Sequence, residues 1–574
     1  MSDAFSTARD AFNAWRADFP SDPYAADPHL DLVNARYLTE ERLAGVRDMG
    51  AAFGRTVVDD LGPLVESYQR HDPELVKYDG RGNRTEEIRF DPAYHEAGAL
   101  VWASGLLRDA GTPGLSFEQA TTFYLASLEG EMGHMCAATC TTGMIRVLRR
   151  SASNELRDEY LPSLTAVDYG DALRGSQFLT EVQGGSDVGS VASPAVDRGD
   201  GTWRVSGEKW FCSIADADAF LVLARPEGAA SGTRGLGCFL IPRHLDGVPN
   251  GFSIRRLKDK LGTMSMASAE IDFDDAVAYP IGDVDAGFKI MVTAMLNTSR
   301  WMNALGDAGI MRRAYVEASA YARHREAFGQ RIADFPLVRH QIAQIKAEWL
   351  AALHSTWHLT ALDEAIDLGV ADEADAAFHR YLVNANKLTC SLAATQTARE
   401  ALEILGGNGA IETFSVLPRL LRDAVVYEQW EGTHNTLTAQ VLRDLGRLDL
   451  TGAVVDRTAT LLKGIADPEL GNIASRALAG FEELAFETRR SIDDPPHGAM
   501  HFRATLERLV RAHQIALLLD AAQGGGPLAN ELAAAATLIT GRFLDPDYRP
   551  EHDSGFADTV EALLGSDLDR GRDY

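Results

Sequence analysis

The chain changes texture twice along its 574 residues, and that order limits the fold more than any other feature. From about Leu38 to Arg150, small and apolar residues recur at helical intervals, as in FEQATTFYLASLEGEMGHMCAATCTTGMIRVLRR. Between about Gly175 and Phe288 come short runs of β-formers, WRVSGEKWF, AFLVLA, GCFLIP and AEIDFDD, separated by glycine and aspartate turns. From Lys289 to about Leu450 helical spacing returns, with Val338, Ile342, Ile345 and Trp349 on one face. Helices, then strands, then helices is not the alternating order of a doubly wound nucleotide fold, and no GxGxxG follows a strand. A nicotinamide-binding sheet is disfavoured.

The expected class is α+β, mostly α. Its parts are a helical N-terminal domain over 1–174, a β domain over 175–288, a helical domain over 289–449 and a helical extension over 450–574. Within the first part, YDGRGNRTEEIRFDP interrupts the helical pattern with turn chemistry and reads as a loop or small hairpin. In the last part, FRATLERLVRAHQIALLLDAA reads as helix, broken at Gly524, Gly525 and Gly526.

Apolar residues make up 45% of the chain and charged residues 24%, so a folded core is expected rather than disorder. The net charge of −28 opposes phosphate backbones at long range and disfavours nucleic acid as a partner. No stretch of about 18 uncharged apolar residues occurs, so no membrane span is expected. MSDAFSTARDAFNAW lacks a basic stretch followed by an apolar run, which points to the cytoplasm. Cys136, Cys140, Cys212, Cys238 and Cys390 are an odd, scattered set, so reduced thiols are expected. His134, Cys136 and Cys140 have zinc-like ligand types, but no fourth ligand lies near; a buried helix face is favoured and no metal is expected.

Three segments look like parts of a phosphate-bearing cofactor site. FLTEVQGGSD combines a glycine pair, Gly184 and Gly185, with the hydroxyls of Thr180 and Ser186, although such residues also make ordinary turns. GEKWFCS ends a strand with two aromatics, Trp210 and Phe211, before Ser213; a plain core strand would read the same way. ILGGNGAIETFSVLPRLLRDAVVYEQWEGTHN joins a glycine turn to a helix and then to Glu431, which could equally be a favourable first-turn charge.

Together with RHREAFGQ, these segments stand in the order and spacing of the acyl-CoA dehydrogenases, which the chain resembles over nearly its whole length. PELVKYDGRGNRTEEIRFDPAYH, RLKDKLG and the C-terminal extension resemble the AidB-like branch of that family. The resemblance implies FAD as cofactor, with Phe178, Leu179, Thr180, Ser186, Phe211, Cys212 and Ser213 along the flavin. It implies that Arg325, Phe328, Gly406 and Gly407 reach the FAD of a neighbouring subunit in a homotetramer. Thr433 and Asn435 would hold the adenine or pyrophosphate part, with Trp430 and Gly432 also at the cofactor. Ser186, Arg300, Trp430 and Gly432 would contact substrate. The base would be Glu431, because the other position the family uses, just before the arginine matching Arg300, is Ser299.

The chain departs from the family at three of these places. Phe211 replaces a tryptophan, Glu403 stands where many members have glutamine, and Met264 where many have arginine. The implied activity is α,β-dehydrogenation of an acyl thioester, acyl-CoA in the first instance, with electrons passing to an electron-transfer flavoprotein. The alternative is a flavin-loaded protein of the alkylation response, DNA-associated and with residual activity.

Overall fold

A computed structural model describes residues 2–448 and 450–569. It divides into two compact units, one of the residues up to Gly54 with those from Asn303 on, the other Arg55–Met302.

The Arg55–Met302 unit contains the hairpin of β1 (Glu74–Tyr78) and β2 (Arg84–Arg89), in place of the interruption in the helical pattern. Its turn is closed by the Asp79 carboxylate, which accepts the N–H groups of Arg81 at 2.8 Å and Asn83 at 2.9 Å. Helices follow at Pro92–Ala103, Ser116–Ala126, Gly133–Ser151 and Asn154–Leu164. The third is buried on almost every side, which its Gly, Ala, Cys and Thr residues permit by keeping neighbours close. On it His134 Nε2 bonds the Tyr94 carbonyl at 2.8 Å, and the Cys136 and Cys140 sulfurs lie 3.9 Å apart. Among the described residues, no three metal-ligating side chains converge. The five cysteines are buried and form no disulfide.

The strands that follow are β3 (Gly175–Phe178), β4 (Pro194–Asp197), β5 (Trp203–Ser213), β6 (Ala219–Pro226) and β7 (Gly237–Pro242). A two-residue hairpin of β8 (His244–Leu245) and β9 (Val248–Pro249) leads to β10 (Phe252–Leu257) and β11 (Ser268–Pro280). The order is β10-β11-β5-β4-β6-β3, and β7 pairs with both β6 and the end of β11. The circuit β5-β4-β6-β7-β11 therefore closes on itself, leaving few free edges. Strands β3 and β4 run parallel to β6, and the remaining pairs are antiparallel. Residues 219–224 of β6 and all of β7 are buried, as expected of continuous apolar runs inside a barrel.

The other unit is helical, apart from a two-residue hairpin, β12 (Glu326–Ala327) and β13 (Gln330–Arg331). Its main helices are Asn297–His324, inside which the division between units falls, then Pro336–Asp367, Glu373–Ile404, Leu417–Gln429 and His434–Arg447. Ile342, Ile345 and Trp349 are fully buried as their spacing predicts, and Val338 is half-buried at the helix start. A capping box of Asp372 and Asp375 opens the Glu373–Ile404 helix.

Past residue 450 the chain adds helices at Thr451–Lys463, Pro468–Asp493, Pro495–Gln523, Ala529–Phe543 and Phe556–Leu564. The third stops at Gly524, and Gly525 and Gly526 follow with φ of 75° and 93°. Buried polar contacts tie it to the bundle: Arg511 pairs with Glu348 at 2.6 Å, and Gln514 donates to Ser355 at 3.1 Å. On the N-terminal side, Trp357 donates to Asn34 at 2.8 Å, so the Pro28–Tyr37 helix packs with the later helices.

Candidate functional site

The candidate residues fall into two sets, one in each unit. In Arg55–Met302, β3 runs into the TEVQGGSD turn, and the Trp210 N–H of β5 donates to the Thr180 carbonyl at 2.9 Å. Two of the three motifs are thus joined through the main chain. Beneath them is an ion pair that sequence reasoning missed, Glu181 with Lys209 at 2.6 Å, both buried. Glu181 also accepts from Ser193 Oγ at 2.5 Å and the Ala192 N–H at 2.8 Å, while Lys209 donates to the Leu223 carbonyl at 2.8 Å. Burial alone would raise the Glu181 carboxyl, but the Lys209 ammonium and these hydrogen bonds outweigh it and hold the pKa down at about 2. Burial lowers Lys209 in turn.

Above this pair, Thr180 and Leu179 are half-buried, and Ser186 and Phe211 are exposed. The Lys258 ammonium of RLKDKLG lies 3.7 Å from the Trp210 ring centre and pairs with Glu270 at 2.8 Å. Phe178 and Cys212 have fully buried side chains, Phe178 against Phe220 at 4.7 Å, which leaves only their main chain to face a ligand. Ser213 is half-buried, and its carbonyl accepts from Ser176. Ser299 and Arg300 are buried in the first turn of the Asn297–His324 helix. Met264 is half-buried.

In the helical unit, the Leu417–Gln429 helix ends at Trp430, whose ring meets Tyr427 at 4.8 Å. Glu431 and Gly432 then take φ of 56° and 103°, and Thr433 is the N-cap of the His434–Arg447 helix. Left-handed backbone at a glutamate is uncommon and persists only where its surroundings enforce it. Glu431 and Trp430 are half-buried, so the carboxylate stands in the break between two helices with its neighbours fixed.

Thr433 and Asn435 are exposed, with Asn435 Oδ1 accepting from Arg503 of the C-terminal extension at 3.1 Å. Arg503 also meets His434 Nδ1 at 3.3 Å, and burial with the nearby charges of Lys387 and Arg503 lowers that histidine to about 4. Gly406 and Gly407 are exposed, and a side chain added at either would meet open space. Glu403 is exposed and accepts from Gln341 at 3.2 Å. Arg325 is exposed, and Phe328 is 98% exposed at the tip of the β12/β13 hairpin.

These residues fit FAD. Exposed hydroxyl residues at Ser186 in one unit and Thr433 in the other, and in the helical unit an open glycine backbone, an exposed arginine and an exposed aromatic, are groups suited to a large polar cofactor with phosphates and a flat ring.

A closed β barrel preceded and followed in the chain by helices, with a half-buried glutamate in a helix break, fits the flavoprotein dehydrogenase class that the sequence motifs resemble. Residues 16–171 match the adaptive response protein AidB N-terminal domain, 176–276 the acyl-CoA dehydrogenase middle domain, and 285–446 the acyl-CoA dehydrogenase C-terminal domain. The chain is 34% identical over 413 residues to the AidB protein of Escherichia coli, covering 70% of this chain and 73% of that one. Caenorhabditis elegans ACDH-11, solved in complex with C11-CoA, superposes with a TM-score of 0.85 at 27% identity over 96% of this chain and 95% of that one. A Bacillus anthracis acyl-CoA dehydrogenase complexed with FAD shares the fold at 18% identity, with a TM-score of 0.71 over 92% of this chain and 88% of that one. The chain belongs to the acyl-CoA dehydrogenase family, with the AidB N-terminal domain, and FAD is its cofactor.

Proposed function

We propose that the protein removes two hydrogens across the α,β bond of an acyl thioester, with acyl-CoA as the first substrate class to test. The observation that carries this reading is Glu431 itself, a half-buried carboxylate at φ 56° between the end of one helix and the cap of the next. Glu431 takes the α-proton. An α-proton is only weakly acidic, so the thioester carbonyl needs hydrogen-bond donors as charge builds on it; each such donor is commonly worth about 3 to 4 kcal/mol. The Glu431 N–H is the donor proposed on this chain. Trp430 walls the thioester, and Ser186, Arg300 and Gly432 complete the substrate contacts.

FAD, when bound, supplies the acceptor for the hydride that leaves the β-carbon. Thr180, Ser186, Phe211, Ser213, Thr433 and Asn435 hold it, along with the main chain of Phe178, Leu179 and Cys212. Arg325, Phe328, Gly406 and Gly407 act on the cofactor of a second copy in a homotetramer. An electron-transfer flavoprotein is the proposed acceptor and the cytoplasm the proposed compartment, and the four-part division at 174, 288 and 449 belongs to the same reading.

The test is anaerobic titration of the FAD-loaded protein with thioesters of graded length and branching. Wild type should bleach with at least one of them, and Glu431→Gln should keep FAD without bleaching. If no thioester bleaches wild-type flavin, or Glu431→Gln bleaches at the wild-type rate, this reading fails. The match to the AidB N-terminal domain supports a second reading, a flavin-loaded protein of the adaptive response with residual dehydrogenase activity, for which DNA association is the property to test. The net charge of −28 weighs against it, and a gel shift at low salt that vanishes steeply as salt rises would favour it.

A further inference from the structure

The Glu431 turn has a support that the family motifs do not name. Lys387, on the Glu373–Ile404 helix, is fully buried. Its Nζ donates to the Glu428 carbonyl at 3.0 Å and to the Gly432 carbonyl at 3.4 Å. The first carbonyl belongs to the last turn of the Leu417–Gln429 helix, where helix geometry leaves carbonyls without partners in the helix and gives that end negative character. The second lies just past Glu431. One ammonium therefore clamps the chain on both sides of the residue with left-handed φ.

The clamp is itself held. One turn along the same helix, Ser391 Oγ bonds Asp307 Oδ2 at 2.9 Å, and Asn303 Nδ2 donates to the same oxygen at 2.9 Å. Asp307 is fully buried. Burial pushes its carboxyl above the ordinary carboxylate range against the pull of the Lys387 charge, so the two groups sense each other. Thr395, on the Lys387 helix, also bonds the Glu428 carboxylate at 2.5 Å.

We propose that Lys387 is a positioning residue for Glu431, its ammonium bridging the Glu428 and Gly432 carbonyls so that the base is held at one orientation toward the substrate α-carbon. The inference rests on Glu431 being the base. A small displacement of a catalytic group costs rate far more than it costs binding, because only the transition state depends on that alignment.

The experiment uses the FAD-loaded full chain and the thioester that bleaches wild type fastest, following bleaching rate at saturation and thioester affinity separately. Lys387→Met, which keeps length and loses the donors, should slow bleaching at least tenfold while affinity changes less than threefold. Lys387→Arg, which keeps a cation and donors, should recover part of the rate. In a Glu431→Asp background, whose base is already displaced, Lys387→Met should add less than threefold, because coupled residues are not additive. A multiplicative loss in that background, or equal losses of rate and affinity, overturns the proposal. Should Lys387→Met fail to fold, Asp307→Asn changes the charge facing Lys387 while keeping shape. It should slow bleaching about threefold to tenfold at unchanged affinity, and an unchanged rate overturns the proposal. Wild-type bleaching by Glu431→Gln defeats the base assignment, whatever the Lys387 variants do.

Discussion

Lys209 Nζ lies 2.6 Å from Glu181 Oε1, with neither side chain more than 4% exposed, and this contact links the TEVQGGSD and GEKWFCS motifs in addition to their main-chain bond. Removing one partner of a buried pair strands the other charge, at a cost of about 3 to 5 kcal/mol. Lys209→Met should therefore destabilise the protein by that amount in guanidinium unfolding, and adding Glu181→Gln should restore part of it. Glu181 is held below its ordinary value, so its contribution is present above about pH 4.5 and is lost as pH falls toward 2. Wild type should lose more stability across that window than Glu181→Gln; equal slopes would place the acid sensitivity elsewhere.

Phe328 and Gly329 form the centre of the β12/β13 hairpin at φ of 53° and 83°, a turn that favours Asn-Gly over an aromatic. A phenylalanine in left-handed backbone that is 98% exposed, its ring meeting the Phe335 ring edge-on at 6.3 Å, keeps nearly all of its apolar surface in solvent, and this supports a contact with a second copy. Phe328→Asp should leave thermal stability within about 0.5 kcal/mol, as surface changes do. Sedimentation should show a smaller assembly, and FAD should be released faster. An unchanged mass with unchanged FAD retention would remove this residue from the assembly proposal.

The parts of the fold that could be read in the sequence are those written in local pattern. β5, β6, β7 and β11 carry aromatic and branched residues between turn residues, and Ile342, Ile345 and Trp349 repeat at helical spacing. β4 is four residues long and begins with proline, β3 runs directly into a motif, and β10 ends on the exposed arginines 255 and 256 before a half-buried leucine, so none of them stands out. The candidate base comes from the family resemblance; in the residues alone Glu431 reads equally as a first-turn charge, and nothing local says that it turns left-handed. What sustains the site is least legible. Glu181 and Lys209 are 28 residues apart, Lys387 and Gly432 are 45, and Asn435 and Arg503 are 68; such pairings come from packing rather than spacing.

Arg503 brings the C-terminal extension to the segment proposed to hold the cofactor, donating to Asn435 at 3.1 Å and meeting His434 at 3.3 Å. An exposed guanidinium beside that segment is suited to a phosphate, which it can bind with two parallel donors. Arg503→Ala should weaken FAD binding about threefold to tenfold in calorimetric titration of the apoprotein, on the scale of one charge-assisted hydrogen bond. Thermal stability without FAD should change little. If FAD affinity is unaltered, the contact serves only to pin the extension, and the unfolding midpoint should then fall instead.

A histidine pair also joins the extension to the Pro336–Asp367 helix, His358 Nδ1 to His513 Nε2 at 2.9 Å, with Thr458 Oγ1 on the far nitrogen of His513 at 3.2 Å. His513 is fully buried. Burial lowers His358 to about 3 and His513 well below its ordinary value, with the Arg457 charge adding to both. Both rings therefore stay neutral in the folded protein while the unfolded chain takes up protons below about pH 6.5. Their contribution is complete above that pH and falls away as pH drops toward 3. At pH 5 a histidine kept neutral costs about 2 kcal/mol relative to pH 7, since pH 5 lies about 1.5 units below the free imidazole value of about 6.5 and each unit is worth about 1.36 kcal/mol. His513→Gln keeps hydrogen-bonding capacity but does not titrate. Between pH 7 and pH 5 its melting temperature should fall less than that of wild type, by about 2 to 4 °C. An identical fall in both proteins would mean that the pair opens to solvent before the rest of the helical unit yields.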